Sequence, residues 1–131
     1  MIAPSSVPAG LTLELARARL RPGTDPIVDE WMQMLNDRVD ECVATLHRER
    51  MAFEAIFRHT DEHGDGWLYW VSVQGADNEG MDESNPLDAD HVAFAKRVKG
   101  PGWEVLTPQL MLAPDHIRSS LLAWALEGAV R

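Results

Sequence analysis

MAFEAIFRHTDEHGDGWLYWVSVQ, residues 51–74, reads as two strands around a turn. Phe53, Ala55 and Phe57 alternate with Glu54, Ile56 and Arg58 in the first half. In the second half Trp67, Tyr69, Val71 and Val73 alternate with Leu68, Trp70, Ser72 and Gln74. Period-two alternation of aromatic and β-branched residues is a strand pattern. The segment between, DEHGD, is polar and carries a glycine, as a hairpin connection requires.

Outward from this hairpin the pattern changes period. Upstream, Val28, Trp31, Met32, Leu35, Val39, Cys42, Val43 and Leu46 recur at spacings of three and four. They predict one amphipathic helix from Pro26 to Arg50, with Thr24 or Asp25 as its cap and Pro26 at the first helical position. Before it, residues 11–20 alternate as a strand and end at Pro22-Gly23. Downstream, Leu87, His91, Phe94 and Val98 mark the inward face of a second helix capped by Asp88. A fourth strand is predicted from Trp103 to Leu112, with Pro108 pointing to an edge or a bulge. The order is β-α-β-β-α-β: an α+β, ferredoxin-like antiparallel sheet. Pro114-Asp115 opens an extra C-terminal helix with the stripe Ile117, Leu121, Trp124, Ala125 and Gly128. The organisation expected is a loose arm over 1–10, the α+β domain over 11–114 and the added helix over 115–131.

The chain has 131 residues, enough for one domain with its own core and no need of metal or disulfide staples. A formal net charge of -9 argues against nucleic acid and against anionic membrane surfaces, both of which call for a basic patch. The single cysteine, Cys42, rules out an intrachain disulfide and reads as an inert thiol on the helix stripe. MIAPSSVPAG at the start has neither a basic region nor an apolar core, so it does not read as a signal peptide, and no apolar run approaches a membrane span. A cytoplasmic protein is expected. Gly75 to Leu87, with Asp77, Glu79, Asp82 and Glu83, reads as a solvated acidic loop.

Four stretches carry a resemblance: ARARLRPG at 16–23, FEAIFRHTDEHGDGWLYWVSVQG at 53–75, DADHVAF at 88–94 and LMLAPDH at 110–116. With them the chain resembles the dimeric α+β-barrel superfamily, and within it a family of small uncharacterised bacterial proteins. Relatives in that superfamily include antibiotic-biosynthesis monooxygenases, small polyketide cyclases, muconolactone isomerase and rhamnose mutarotase. The resemblance implies a homodimer whose two sheets pack face to face, working without a nucleotide or metal cofactor on an organic metabolite of bacterial secondary metabolism. Strands 11–20 and 67–74, apolar on both faces, agree with a sheet covered on both sides. Where the mutarotases carry a histidine and tyrosine pair, this helix has Trp31, Met32 and Leu35, which argues against that reaction.

No catalytic signature stands out, so candidate residues follow from position. His91 on the inward helix face could move a proton near neutral pH; the plainer reading is a boundary histidine satisfied by a backbone carbonyl. Arg17, Arg19, Glu54, Arg58, Ser72 and Gln109 are polar groups on strands of a two-sided sheet, where they need partners. They would either form ion pairs with one another or hold a ligand, with Arg19 stabilising negative charge in a reaction. Trp31 and Trp70 suit a planar ligand, and serve a core or interface equally well. His59, Asp61, His63 and Asp65 alternate, which in an extended strand would set metal ligands on one face, but they fall in the hairpin turn and read as a solvated turn. A haem site, the third alternative, would take His91 as its ligand on an apolar face. The expected function is a small-molecule-binding protein or cofactor-independent isomerase, cyclase or monooxygenase; the alternative is a non-catalytic ligand-binding or interaction dimer.

Overall fold

A computed structural model describes residues 3–75 and 81–127. The hairpin joins β2 (Met51–Thr60) to β3 (Gly66–Gln74), paired from Phe53 opposite Val73 to Thr60 opposite Gly66. Asp61 organises its turn. Oδ1 accepts from the backbone N–H groups of His63 and Asp65, and Oδ2 from the indole N–H of Trp67, each at 2.9 Å. These bonds, the Trp67 one foremost, hold the Asp61 carboxyl below the usual range. Gly64 sits at φ +82, a left-handed conformation that favours glycine.

β1 (Thr12–Arg19) lies antiparallel beside β3, and the short β4 (Glu104–Leu106) closes the far edge. Among the described residues the result is an α+β fold with a four-stranded antiparallel sheet in the order β2-β3-β1-β4, and four helices. β4 is much shorter than the sequence pattern predicts. Its pairing ends at Leu106, two residues before Pro108, which has no N–H to give to a ladder.

The amphipathic run from Pro26 to Arg50 is two helices, not one: α1 (Asp25–Asp37) and α2 (Val39–Glu49). Arg38 between them leaves helical geometry at φ -118 and ψ 36. Its guanidinium ties the joint down, donating to Glu41 at 2.8 and 3.0 Å and to Asp90 of α3 (Pro86–Val98) at 2.6 Å. The break shifts the phase of the second half. Val39 and Val43, placed inward by an unbroken stripe, are 49% and 50% exposed, while Thr45 and Glu49 are buried. Thr24 precedes α1 without capping it; its hydroxyl donates to the Arg21 carbonyl at 2.6 Å. α3 is capped by Asn85, whose Oδ1 accepts from the Leu87 N–H at 2.9 Å, so Asp88 is released to face α2.

One face of the sheet carries α1, α2 and α3. Leu20, Val28, Trp31, Leu68 and Val98 form the core there. On the opposite face the described residues cover one end. α4 (Asp115–Glu127) and the N-terminal segment pack Val7, Leu11, Val73 and Ala125 together. Val7 is buried in this cluster, and Ser6 Oγ accepts from the Met111 N–H at 3.0 Å. Asp77, Glu79 and Gly128 lie outside the described residues.

Candidate functional site

Strand register divides the helix-covered face of the sheet into two zones. Arg58, Leu68 and Ala18 sit side by side at one end, and Leu68 and Ala18 are buried in or beside the core. Glu54, Ser72 and Glu14 form the equivalent row at the other end, with Ile56, Trp70 and Ala16 between. Small and polar residues in that far row cannot fill the space beneath α2 and α3. A cavity of about 360 Å³ remains, large enough for a small organic molecule. Trp70 stands at the boundary, packing on the core and lining the cavity.

His91 reaches the cavity from α3 and is 7% exposed. Its Nδ1 accepts a hydrogen bond from the Trp31 indole N–H at 2.9 Å. Trp70 meets the ring edge-on, centroid to centroid 5.0 Å. Burial, only partly opposed by the Asp88 charge, lowers the His91 pKa to about 4, so the ring is neutral near pH 7. A neutral imidazole has one lone pair, and an indole can only donate. Trp31 therefore fixes the lone pair on Nδ1 and the proton on Nε2. In this state His91 is a hydrogen-bond donor and has no free lone pair for a base or for a haem iron.

The basic partner comes from the floor. Glu54 Oε2 accepts from the Trp70 indole N–H at 2.9 Å. Burial raises the Glu54 carboxyl above its usual range, against the lowering effect of that bond. Glu49 on α2 is raised too, by burial first and by the Glu54 charge next. Asp88 is pinned by Arg48 and accepts from the Asp82 N–H at 2.9 Å; Arg48 also lies 3.6 Å from Glu49. Cys42 lines the same cavity, and burial pushes its thiol up, away from the reactive thiolate.

Of the residues singled out in the sequence, Glu54, Trp70, Ser72 and His91 meet in this cavity. Trp31 does not line it but supports His91 from the core, fully buried. Arg58 leaves the floor to pair with Asp29 of α1 at 2.6 Å. Arg17 and Arg19 project from the opposite face. Arg17 pairs with Glu104 at 2.7 Å and Arg19 with Asp65, and both guanidiniums lie over the Trp67 ring, 4.1 and 5.3 Å from its centroid. Arg19 and His91 thus lie on different faces of the sheet. Gln109, past β4, donates to the carbonyls of Thr107 and Pro108. The turn residues Asp61 and Asp65 are engaged by backbone N–H groups, Trp67 and Arg19. Among the described residues no group of three or more histidine, cysteine or carboxylate side chains is placed to hold a metal ion.

Sequence reasoning missed Thr45, Glu49 and Asp88. Cys42, Thr45 and Glu49 are themselves spaced three and four apart, a polar stripe beside the apolar one, and that spacing was the available signal.

The chain belongs to a family of unknown function (DUF6176), which it matches over residues 11–119. No curated protein matches it. Among the described residues no helix is long and apolar enough to cross a membrane.

Proposed function

We propose that this member of DUF6176 is a cofactor-independent enzyme of the isomerase or cyclase type, binding a small organic molecule beneath α2 and α3. The observation that carries the reading is the pairing, in one cavity, of a half-buried carboxyl held by Trp70 with a buried neutral histidine held by Trp31. Their environments push two titratable groups towards opposite roles, an arrangement typical of acid–base sites. Glu54, raised towards neutrality by burial, takes a proton from an activated C–H of the ligand. The electron pair of that bond moves onto an adjacent oxygen, where the His91 Nε2–H stabilises the developing charge. Protonated Glu54 then returns the proton to another carbon, so the step needs no oxidant or reductant.

The strand order fits a ferredoxin-like topology, and the likeness to dimeric α+β-barrel proteins supports a homodimer joined through the uncovered sheet face. Exposed Phe53 and Phe57 on that face support the same reading. A nitrobenzisoxazole, a neutral aromatic carbon acid that ring-opens to a coloured phenolate on losing its proton, tests the chemistry. Wild type should open it, with Glu54→Gln slower by about a hundredfold or more. Equal rates in the two proteins would overturn the assignment of Glu54. Binding of the compound without any ring-opening would favour the ligand-binding alternative.

A further inference from the structure

We infer that Trp31 is a positioning residue, and that by turning the His91 Nε2–H into the cavity it sets the ligand class: an uncharged oxygen acceptor, a carbonyl above all, on an apolar body. This rests on the reading of the cavity as a ligand site. Trp31 is donor-only and its N–H is taken by Nδ1, so the geometry of one bond decides what His91 offers. Nε2–H is then a donor on a side chain more than nine-tenths buried, bordering the cavity. That N–H opens onto accessible space rather than being sealed off, so a ligand that displaces its hydration fits best when it supplies an acceptor in exchange.

Charge separates the possible acceptors. The cavity lining includes Glu14, Glu49, Glu54 and Asp88, and among its described residues no lysine or arginine. Arg48 already engages Asp88 and lies 3.6 Å from Glu49, so a carboxylate or phosphate placed there would meet Glu14 and Glu54 with no cation of the lining to receive it. The arginines that the sequence offered for such an anion, Arg17 and Arg19, are spent on the other face of the sheet. A ketone, ester or amide oxygen accepts from His91 without that penalty. Its apolar remainder packs against Trp70 and Trp103, whose rings lie 5.9 Å apart and edge to face.

Two measurements test the inference. Two-bond ¹H–¹⁵N correlation spectra of the histidine rings, with His91 assigned from its absence in His91→Gln, report the tautomer without any ligand. Wild type should show the Nε2–H form alone, and Trp31→Phe a mixture. An Nδ1–H form in wild type overturns the inference and leaves the ligand site untouched. Three probes with matched rings, acetophenone, benzoate and benzylamine, are then titrated while the indole N–H signals of Trp70 and Trp103 are followed. Acetophenone should bind at least about tenfold more tightly than benzoate, the loss expected for one hydrogen bond plus like-charge repulsion. His91→Phe should erase most of that preference. His91→Gln, whose amide can accept from Trp31 and still donate into the cavity, should keep it. Tighter binding of benzoate or of benzylamine than of acetophenone overturns the inference alone. If no probe moves either indole signal, the ligand-site reading falls and the inference with it.

Discussion

Burial of His91 couples the cavity to acid stability. The unfolded ring titrates near 6.5, whereas the folded one stays bare until about pH 4. Between these values the unfolded chain binds a proton that the fold refuses, so stability falls as pH drops from 6.5 towards 4, by at most about 3 kcal/mol. Glu49 and Glu54 act in the opposite sense. Their folded pKa values lie above the unfolded one, so they favour the fold below about pH 4.5 and penalise it as pH rises through their raised values. The net acid loss is therefore smaller than that from His91 alone. In urea titrations, wild type should lose stability between pH 6.5 and 4. His91→Gln should lose clearly less over the same interval, whatever its offset at pH 7. Parallel curves for the two proteins would mean that the ring is not held neutral. Position on the sequence was enough to pick out His91, because Leu87, Phe94 and Val98 share its helix face. Its chemistry was not legible there: the bond from Trp31, sixty residues earlier, decides which nitrogen carries the proton.

At the scale of elements, the hairpin and the inward faces of β1, β3 and α3 were legible because alternation and helical spacing report burial directly. Glu54, Trp70 and Ser72 could be placed on one face for that reason, though which strands meet needs the register. The α1–α2 break was not legible, since Arg38 is an ordinary helix former and no proline or glycine marks the joint. Arg38 is held there by a local partner, Glu41 three residues on, and a tertiary one, Asp90 of α3, and the phase change puts Glu49 in the cavity instead of Val43. A second junction is as tightly specified. α2 ends at Arg50 in the left-handed region, φ 52, a position more usual for glycine. Its guanidinium donates to the Trp124 carbonyl of α4 at 2.6 Å and lies 4.1 Å from that indole's centroid. Close by, a Cβ added at Gly75 would come within 2.9 Å of the Ala125 Cα. Gly75→Ala must push α4 off the sheet end, because the clash is with backbone. A loss of about 1–3 kcal/mol is expected, as in other overpacked sites. Faster amide exchange confined to α4 and its contacts should accompany it. Unchanged stability together with unchanged exchange in α4 would show that this helix is not anchored there.

Over the whole molecule the two faces of the sheet have different fates. Helices cover one face and roof the cavity, while the described residues cover the other at the Val73 end alone. Phe53 and Phe57 stand 50% and 61% exposed on the open part, and Leu106 at the β4 edge is exposed as well. Scattered apolar side chains need no explanation, but Phe53, Ala55 and Phe57 on one face of β2, opposite Val73, Val71 and Tyr69 of β3, form a patch. The charges that border this face are already matched within the chain, Arg17 with Glu104 and Arg19 with Asp65. A second copy could therefore meet it without leaving ions unpaired, and two-fold symmetry makes such a patch self-complementary. Light scattering on a sizing column should give twice the 14.6 kDa chain mass. Phe57→Glu should shift the mass to one chain while leaving the circular dichroism spectrum intact, since the residue carries little of the monomer's core. Val43→Glu supplies the control, because Val43 is comparably exposed but lies on the outer side of α2, away from the sheet. Dissociation by the first substitution and not the second would locate the interface on the sheet. A wild-type mass of one chain at micromolar concentration, or equal effects of the two substitutions, would exclude pairing through this face.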